Sequence, residues 1–159
     1  MKKLPFDRSA CTAYAKKWAY RRNPNYYNFD EIGGDCTNFA SQCLVAGGAV
    51  MNFTPVYGWY YNSLSNRAPA WSGVEELYRF LTNNRSAGPV GREIPINIVA
   101  DGDIIQLGNS ERFYHTLICV AVRNNIPYVA AHTYDTFMTP LTAYDFERIR
   151  AVRVEYVQI

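Results

Sequence analysis

One cysteine in this chain occupies the kind of position where a thiol becomes a nucleophile. Cys36 follows Gly33-Gly34-Asp35, and apolar residues then recur at helical spacing up to a Gly47-Gly48 pair. We therefore expect an N-cap at Asp35 and a helix that begins at Cys36. The positive end of its dipole favours the reactive thiolate, and free N–H groups there can hold an oxyanion. The structural alternative is a cysteine that only fills the core.

A cysteine nucleophile needs a base, and the chain has 2 histidines, His115 and His132. Both lie in strand-like apolar stretches joined by Asn124-Asn125, which suits a two-residue hairpin turn. A hairpin centred there pairs Val122 with Pro127, Ala121 with Tyr128, Cys119 with Ala130 and Leu117 with His132. His115 then lies diagonal to His132, roughly 7 Å away. A register shifted by one residue places His115 opposite Thr133 and Asp135, so His132 or Asp135 is expected to orient the base.

The competing chemistry for these side chains is a zinc site made by Cys36, Cys43, His115 and His132. The two cysteines would lie about 10 Å apart along a helix, too far to share one ion or a disulfide. We therefore expect the 4 cysteines, at positions 11, 36, 43 and 119, to be free thiols. Neither a metal nor another cofactor is expected.

The length, composition and charge of the chain limit which other functions are possible. With 159 residues, 48% hydrophobic and 19% charged, the chain is predicted to form one globular domain, residues 1–159. A net charge of +2 without a basic run argues against a nucleic-acid partner. No apolar run reaches the roughly 18 residues of a membrane span, and no hydrophobic stretch follows the N-terminal lysines as in a signal peptide. Cytoplasmic location is the default expectation, and oligomeric state stays open.

Helices are predicted first and strands second. A first helix is expected over 7–21 and another over 74–81, after a capping box at 72–75. The stretch 83–95 is predicted to be a loop, and the aromatic segment 53–61 forms either a cleft wall or a cover for the core. Strands are expected at 104–107, 115–122, 128–133 and 149–157. This segregation predicts an α+β fold with an antiparallel sheet.

Short motifs over most of the chain from about Asp7 onward carry a resemblance to a known family. They are Tyr14-Ala15-x-x-Trp18, Asn23-Pro24-x-Tyr26, Gly33-Gly34-Asp35-Cys36-Thr37-Asn38-Phe39 with Ser41-Gln42-Cys43, Gly58-Trp59-Tyr60, Gly102-Asp103-Ile104-Ile105-Gln106, His115, and His132-Thr133-x-Asp135. By these motifs the chain resembles the putative amidase domain family of the papain-like cysteine peptidase superfamily, relatives of bacterial cell-wall peptidases and of the cysteine, histidine-dependent amidohydrolase domains. The resemblance implies a papain-like fold, with a nucleophile-bearing helix packed on an antiparallel sheet that bears the base.

The same resemblance implies roles for individual residues. Cys36 corresponds to the nucleophile and His115 to the general base. His132 matches the polar third position of cell-wall peptidases, whereas other branches use an acid or an amide there, which keeps Asp135 as an alternative. Where papain carries an oxyanion-hole amide this chain has Asp30, so the backbone N–H of Cys36 is the expected donor.

These observations predict an amidase or peptidase that cleaves an amide bond through a thioester. Its substrate would be a peptide or another amide, with cell-wall peptides among the candidates. An acyltransferase would use the same thioester but pass the acyl group to an amine. The alternative class is a catalytically inactive papain-like module that binds a peptide or glycan through the Gly58–Tyr61 loop. Thiol reactivity would distinguish the enzyme from the binding module.

Overall fold

A computed structural model of the chain describes residues 1–159 as four helices and nine strands. The helices are α1 (Arg8–Trp18), α2 (Cys36–Ala46), α3 (Pro69–Ser72) and α4 (Val74–Asn83). The strands are β1 (Lys3–Leu4), β2 (Tyr61–Ser63), β3 (Asn66–Arg67), β4 (Gly88–Ile94), β5 (Ile104–Gly108), β6 (Phe113–Arg123), β7 (Ile126–Ala131), β8 (Thr136–Pro140) and β9 (Arg148–Gln158). None of the helices combines the length and the apolar character needed to cross a membrane.

Seven strands form one antiparallel sheet in the order β1-β9-β5-β6-β7-β8, with β4 also paired to β9. The four predicted strands correspond to β5, β6, β7 and β9, so the α+β class and the antiparallel sheet are confirmed. The loop predicted over 83–95 is wrong, because β4 pairs with β9 from Gly88 to Ile94. Its glycines and proline hide the alternating pattern, and the register shift between Val90 and Gly91 breaks it.

The ends of the helices follow from local hydrogen bonds. Helix α1 begins at Arg8 because the Asp7 side chain accepts the N–H of Ala10 at 2.9 Å. The capping box predicted for α4 is wrong: Gly73 is the N-cap and no side chain caps this helix. Ser72 ends α3 instead, and its hydroxyl accepts a hydrogen bond from Arg67.

Helix α2 is buried on all sides from Cys36 to Leu44. Its polar residues are therefore bonded inside the protein. Trp71 donates its indole N–H to Asn38 at 2.8 Å, and Trp59 donates to Ser41 at 3.0 Å. Because Trp59 is fully buried, this part of the segment 53–61 covers the core.

The sheet separates two hydrophobic cores. The larger core joins the sheet to α1, α2 and α4 and includes Ile118 and Val120 of β6. The smaller core lies on the opposite face and includes Leu117 and Cys119. Alternate residues of β6 therefore face the helices and the smaller core.

The hairpin between β6 and β7 has the predicted turn but a different register further along. Asn124 and Asn125 have φ of 52° and 63°, as a two-residue turn requires. The predicted pairs Val122–Pro127 and Ala121–Tyr128 are confirmed. A bulge between Cys119 and Ala121 then shifts the strands, so that Ala130 pairs with Ile118. The predicted pairs Cys119–Ala130 and Leu117–His132 are therefore wrong.

A buried carboxylate ties the two ends of the chain to the middle of the sheet. Asp103, immediately before β5, is completely buried and accepts hydrogen bonds from Arg8 and Arg153, each at 2.8 Å. The backbone N–H of Ala100 donates to the same carboxylate at 2.9 Å. Asp103 thus joins α1, β9 and the turn before β5.

We expect Asp103→Ala to lower the free energy of unfolding by about 3 kcal/mol, because it removes the partner of two partly buried guanidinium groups. Urea denaturation measures this loss. Asp101→Ala is the matched control, since Asp101 is exposed, makes no side-chain hydrogen bond, and should change stability by less than about 0.5 kcal/mol. Equal stability of the two variants would refute the role of Asp103.

Candidate active site

Cys36 is the first residue of α2 and is 7% exposed. Asp35 occupies the N-cap position as predicted, but its side chain does not cap the helix. The N–H groups of the first turn are therefore left without a side-chain acceptor. One of them, the N–H of Thr37, lies toward the Cys36 sulfur and lowers the pKa of the thiol.

The Asp35 carboxylate is turned away from the helix and is completely buried. One oxygen, Oδ1, accepts the N–H of Phe29 at 2.8 Å and the side-chain amide of Asn38 at 2.9 Å. The other, Oδ2, lies 2.5 Å from Nδ1 of His132 and 3.5 Å from Nε of Arg22. Asp35 thus fixes the chain on both sides of the cysteine.

His132 is hydrogen-bonded to the Asp35 carboxylate and does not contact His115. Its Nε2 donates to the carbonyl oxygen of Trp18 at 2.8 Å, and its ring stacks on Phe39 at 4.0 Å between centroids. Both ring nitrogens face oxygen atoms, so the imidazole is held on both sides. The structure therefore does not bring His132 to His115, as the predicted register would have done. The bulge in β6 is the reason, because it moves His132 to the helix-facing side of the sheet.

The sulfur of Cys36 lies beside β6 just beyond the point where β7 stops pairing with it. The ladder between these strands ends at the pair Ile118–Ala130, so Thr116 has no partner on that side. Cys119 donates its N–H to Asp103 next to β5, and by alternation the N–H of Thr116 points the opposite way. That N–H lies close enough to the Cys36 sulfur to lower the pKa of the thiol. The nucleophile candidate therefore touches the residue that directly follows His115.

His115 itself is partly buried near the start of β6. It shares its sheet face with Leu117 and pairs with Leu107 of β5, and its ring lies 6.1 Å from the Tyr144 ring between centroids. Neither ring nitrogen makes a hydrogen bond within the protein, and neither is sealed from solvent. Burial of the ring lowers the pKa of His115 to about 4. At neutral pH the imidazole is therefore uncharged and free to accept a proton.

The thiol is also uncharged at neutral pH. Burial raises the pKa of Cys36, and the N–H of Thr116 and the hydroxyl of Thr37 offset only part of this effect. The helix dipole favours the thiolate, but desolvation outweighs this effect at Cys36. No hydrogen bond joins the sulfur to His115, and both groups are uncharged at neutral pH.

Asp135 and Asp30 are both bound by one arginine. The Arg22 guanidinium forms two hydrogen bonds to Asp135, each 2.9 Å, and one to Asp30 at 2.8 Å. Asp135 therefore does not approach His115, and Asp30 offers no donor to an oxyanion. The turn before Asp135 is strained, with φ of 62° at Thr133 and 57° at Tyr134.

Two surface cavities lie beside these elements. One of about 480 Å³ is lined by Arg22, Asp30, Thr133, Tyr134 and Asp135. The other, of about 540 Å³, lies between the loop 52–57 and α4. Neither of these two cavities is lined by Cys36 or His115. No three His, Cys, Asp or Glu side chains are grouped so that they could hold a metal ion.

Three parts of the site escaped the sequence analysis. They are the arginine that gathers the carboxylates, the tyrosine beside the base, and a polar chain behind the sulfur: Arg22, Tyr144, and Thr37 with Thr116 and Gln106. Gln106 gave a usable signal, because it interrupts the apolar run Ile104–Leu107 of a buried strand. Thr37 lies in the quoted motif around Cys36, and Arg22, Tyr144 and Thr116 have no such signal in the sequence.

The different surroundings of the two histidines predict different effects on stability. His132→Ala should lower the free energy of unfolding by about 3 kcal/mol, because it leaves the Asp35 carboxylate buried with fewer donors. His115→Ala is the control and should cost about 1 kcal/mol or less, since no hydrogen bond is lost. Urea denaturation of both variants measures this difference. A small and equal loss would mean that His132 does not support Asp35.

The chain is similar to known proteins over most of its length. Residues 5–154 match the family described as "Putative amidase domain". The chain is also 36% identical over 138 residues to "Uncharacterized protein YhbB" of Bacillus subtilis (strain 168), covering 84% of this chain and 43% of that relative. No solved structure matches the chain. Because the match to the family spans nearly its whole length, the chain belongs to the putative amidase domain family, whose description points to amide hydrolysis.

Proposed function

We propose that this domain, residues 1–159, is a papain-like cysteine amidase or peptidase in which Cys36 is the nucleophile and His115 the general base. One observation carries the proposal. The Cys36 sulfur, on the first turn of a buried helix, lies against the N–H of Thr116, and His115 is the adjacent residue on the same strand. His115 is thus one residue along the strand from the N–H that the sulfur touches, but alternation along β6 directs its side chain to the opposite face, so the proposal requires the imidazole to move toward Cys36.

Attack begins from neutral groups. The sulfur lone pair forms a bond to the carbonyl carbon, the carbonyl electron pair moves to oxygen, and His115 takes the thiol proton. The unpaired N–H groups at the start of α2, with that of Cys36 first, would hold the oxyanion. The His115 imidazolium then protonates the leaving amine as the C–N bond breaks, which leaves a thioester on Cys36.

Hydrolysis completes the cycle. His115 takes a proton from water as the water oxygen attacks the thioester carbonyl, and the sulfur leaves as a thiolate that regains the proton from His115. The product is a carboxylic acid. In this scheme Asp35 and His132 are positioning residues that hold the first turn of α2, and Asp135 holds Arg22. We propose a peptide or other amide as the substrate, with cell-wall peptides included.

A second candidate is the inactive papain-like binding module. The observation that favours it is the burial of Cys36, which is 7% exposed and makes no hydrogen bond to His115. The Gly58–Tyr61 loop is weakened as a binding site because Trp59 is fully buried and donates a hydrogen bond to Ser41. Turnover by the wild-type protein distinguishes the two candidates.

Removal of the nucleophile should stop turnover without unfolding the protein. We expect Cys36→Ala to reduce hydrolysis by at least about 10³-fold on peptidyl coumarin amides and on peptides from a cell-wall digest. Far-UV circular dichroism should stay unchanged. Cys119→Ala is the matched control, because Cys119 is a buried thiol on the opposite face of the sheet and should retain most activity. Turnover that survives in Cys36→Ala would refute the nucleophile.

The pH profile should show an unusually acidic base. His115 has a pKa of about 4, so it stays neutral above that value, and kcat/KM should fall only as the pH drops below about 5. A histidine with the usual pKa would place this fall in kcat/KM at about pH 6.5. Tyr144→Ala should expose the imidazole and move the loss toward that higher value, whereas Tyr144→Phe keeps the ring and should not. A wild-type profile centred near 6.5 would contradict the burial of the base.

A further inference from the structure

A continuous line of hydrogen bonds lies behind the Cys36 sulfur. The sulfur is 3.8 Å from the Thr37 hydroxyl, which is 2.9 Å from the Thr116 hydroxyl. The side-chain amide of Gln106 donates to Thr116 at 3.2 Å. Thr37 and Thr116 are completely buried, and Gln106 is 1% exposed, so no water competes for these groups.

The orientation of Gln106 is fixed from outside the line. Its Oε1 accepts the Nε–H of Arg150 at 2.9 Å, and its Nε2 donates to the carbonyl oxygen of Val74 at 3.0 Å. A flipped amide would set two donors against each other at Arg150 and two acceptors against each other at Val74. Arg150 is itself held between the rings of Tyr78 and Phe113, at 3.6 Å and 3.8 Å.

This fixed end sets the direction of every hydrogen in the line. Because Gln106 donates to the Thr116 oxygen, the Thr116 hydrogen needs another acceptor, and Thr37 is the hydroxyl within reach. The Thr37 hydrogen must then point to the sulfur. The reverse direction would leave the buried Thr116 hydrogen without an acceptor, which is costly.

We infer that Gln106, Thr116 and Thr37 form a one-way hydroxyl relay that points a hydrogen-bond donor at the Cys36 sulfur. Since the sulfur accepts from Thr37 and from the N–H of Thr116, the thiol hydrogen is left free to be given to His115. The same donors stabilise the thiolate when it leaves the thioester. No proton moves along the relay. This role for positioning residues rests on the proposed function of Cys36.

The rate of Cys36 alkylation by iodoacetamide against pH, mapped cysteine by cysteine by mass spectrometry, tests the relay. Thr37→Val and Thr116→Val keep the shape of the side chain but remove the hydroxyl, and each should slow alkylation at neutral pH by about tenfold. Thr37→Ser and Thr116→Ser restore the hydroxyl and should restore the rate. Thr82→Val is the matched control, because the Thr82 hydroxyl bonds only within α4.

Reversal of the relay gives a second and independent test. The Gln106→Glu carboxylate only accepts, so Thr116 would donate to it and the Thr37 hydrogen would turn away from the sulfur. The pH dependence of Cys36 alkylation should then shift to higher pH, as is expected for Thr37→Val. If Thr37→Val, Thr116→Val and Gln106→Glu all alkylate as the wild type does, the relay is refuted while the nucleophile stands. Turnover in Cys36→Ala would instead refute the proposed function, and the alkylation series would still report on the relay.

Discussion

The arrangement around Cys36 depends on one buried carboxylate. A charge without solvent is costly by several kcal/mol unless donors surround it, and Asp35 has Phe29, Asn38 and His132 as partners with Arg22 close by. These partners come from the loop before α2, from α2 itself and from the end of β7. The carboxylate therefore sets how α2 meets the sheet. Because Asp35 directly precedes Cys36, it also sets where the sulfur lies.

The sulfur is held between this carboxylate on one side and the hydroxyl relay on the other. Helix α2 accommodates both because it is buried on all sides and its polar residues bond inward. The departure of β7 from β6 leaves the N–H of Thr116 free for the sulfur. The same burial keeps the thiol and His115 uncharged. The geometry is thus suited to a proton transfer during attack and not to a preformed ion pair.

Much of this fold could be predicted from the sequence, since helical spacing after Cys36 and the Asn124-Asn125 turn are local signals. The register beyond the turn could not, because the bulge between Cys119 and Ala121 has no sequence mark and reverses which face each later residue occupies. The one extra residue that this bulge adds to β6 places His115 and His132 on opposite faces of the sheet. The charge state of Cys36 could not be predicted for a similar reason: the helix dipole is a local effect, whereas burial depends on the whole fold.

The central claim is that Cys36 forms a covalent acyl intermediate with the help of His115. The most direct measurement is mass spectrometry of the protein after brief reaction with p-nitrophenyl acetate, with each cysteine mapped after proteolysis. The account predicts an acetyl group on Cys36 in the wild type and its loss in His115→Ala, with the other three cysteines unmodified in both. Acetylation of Cys36 at the same rate without His115, or no acetylation in the wild type, would contradict it.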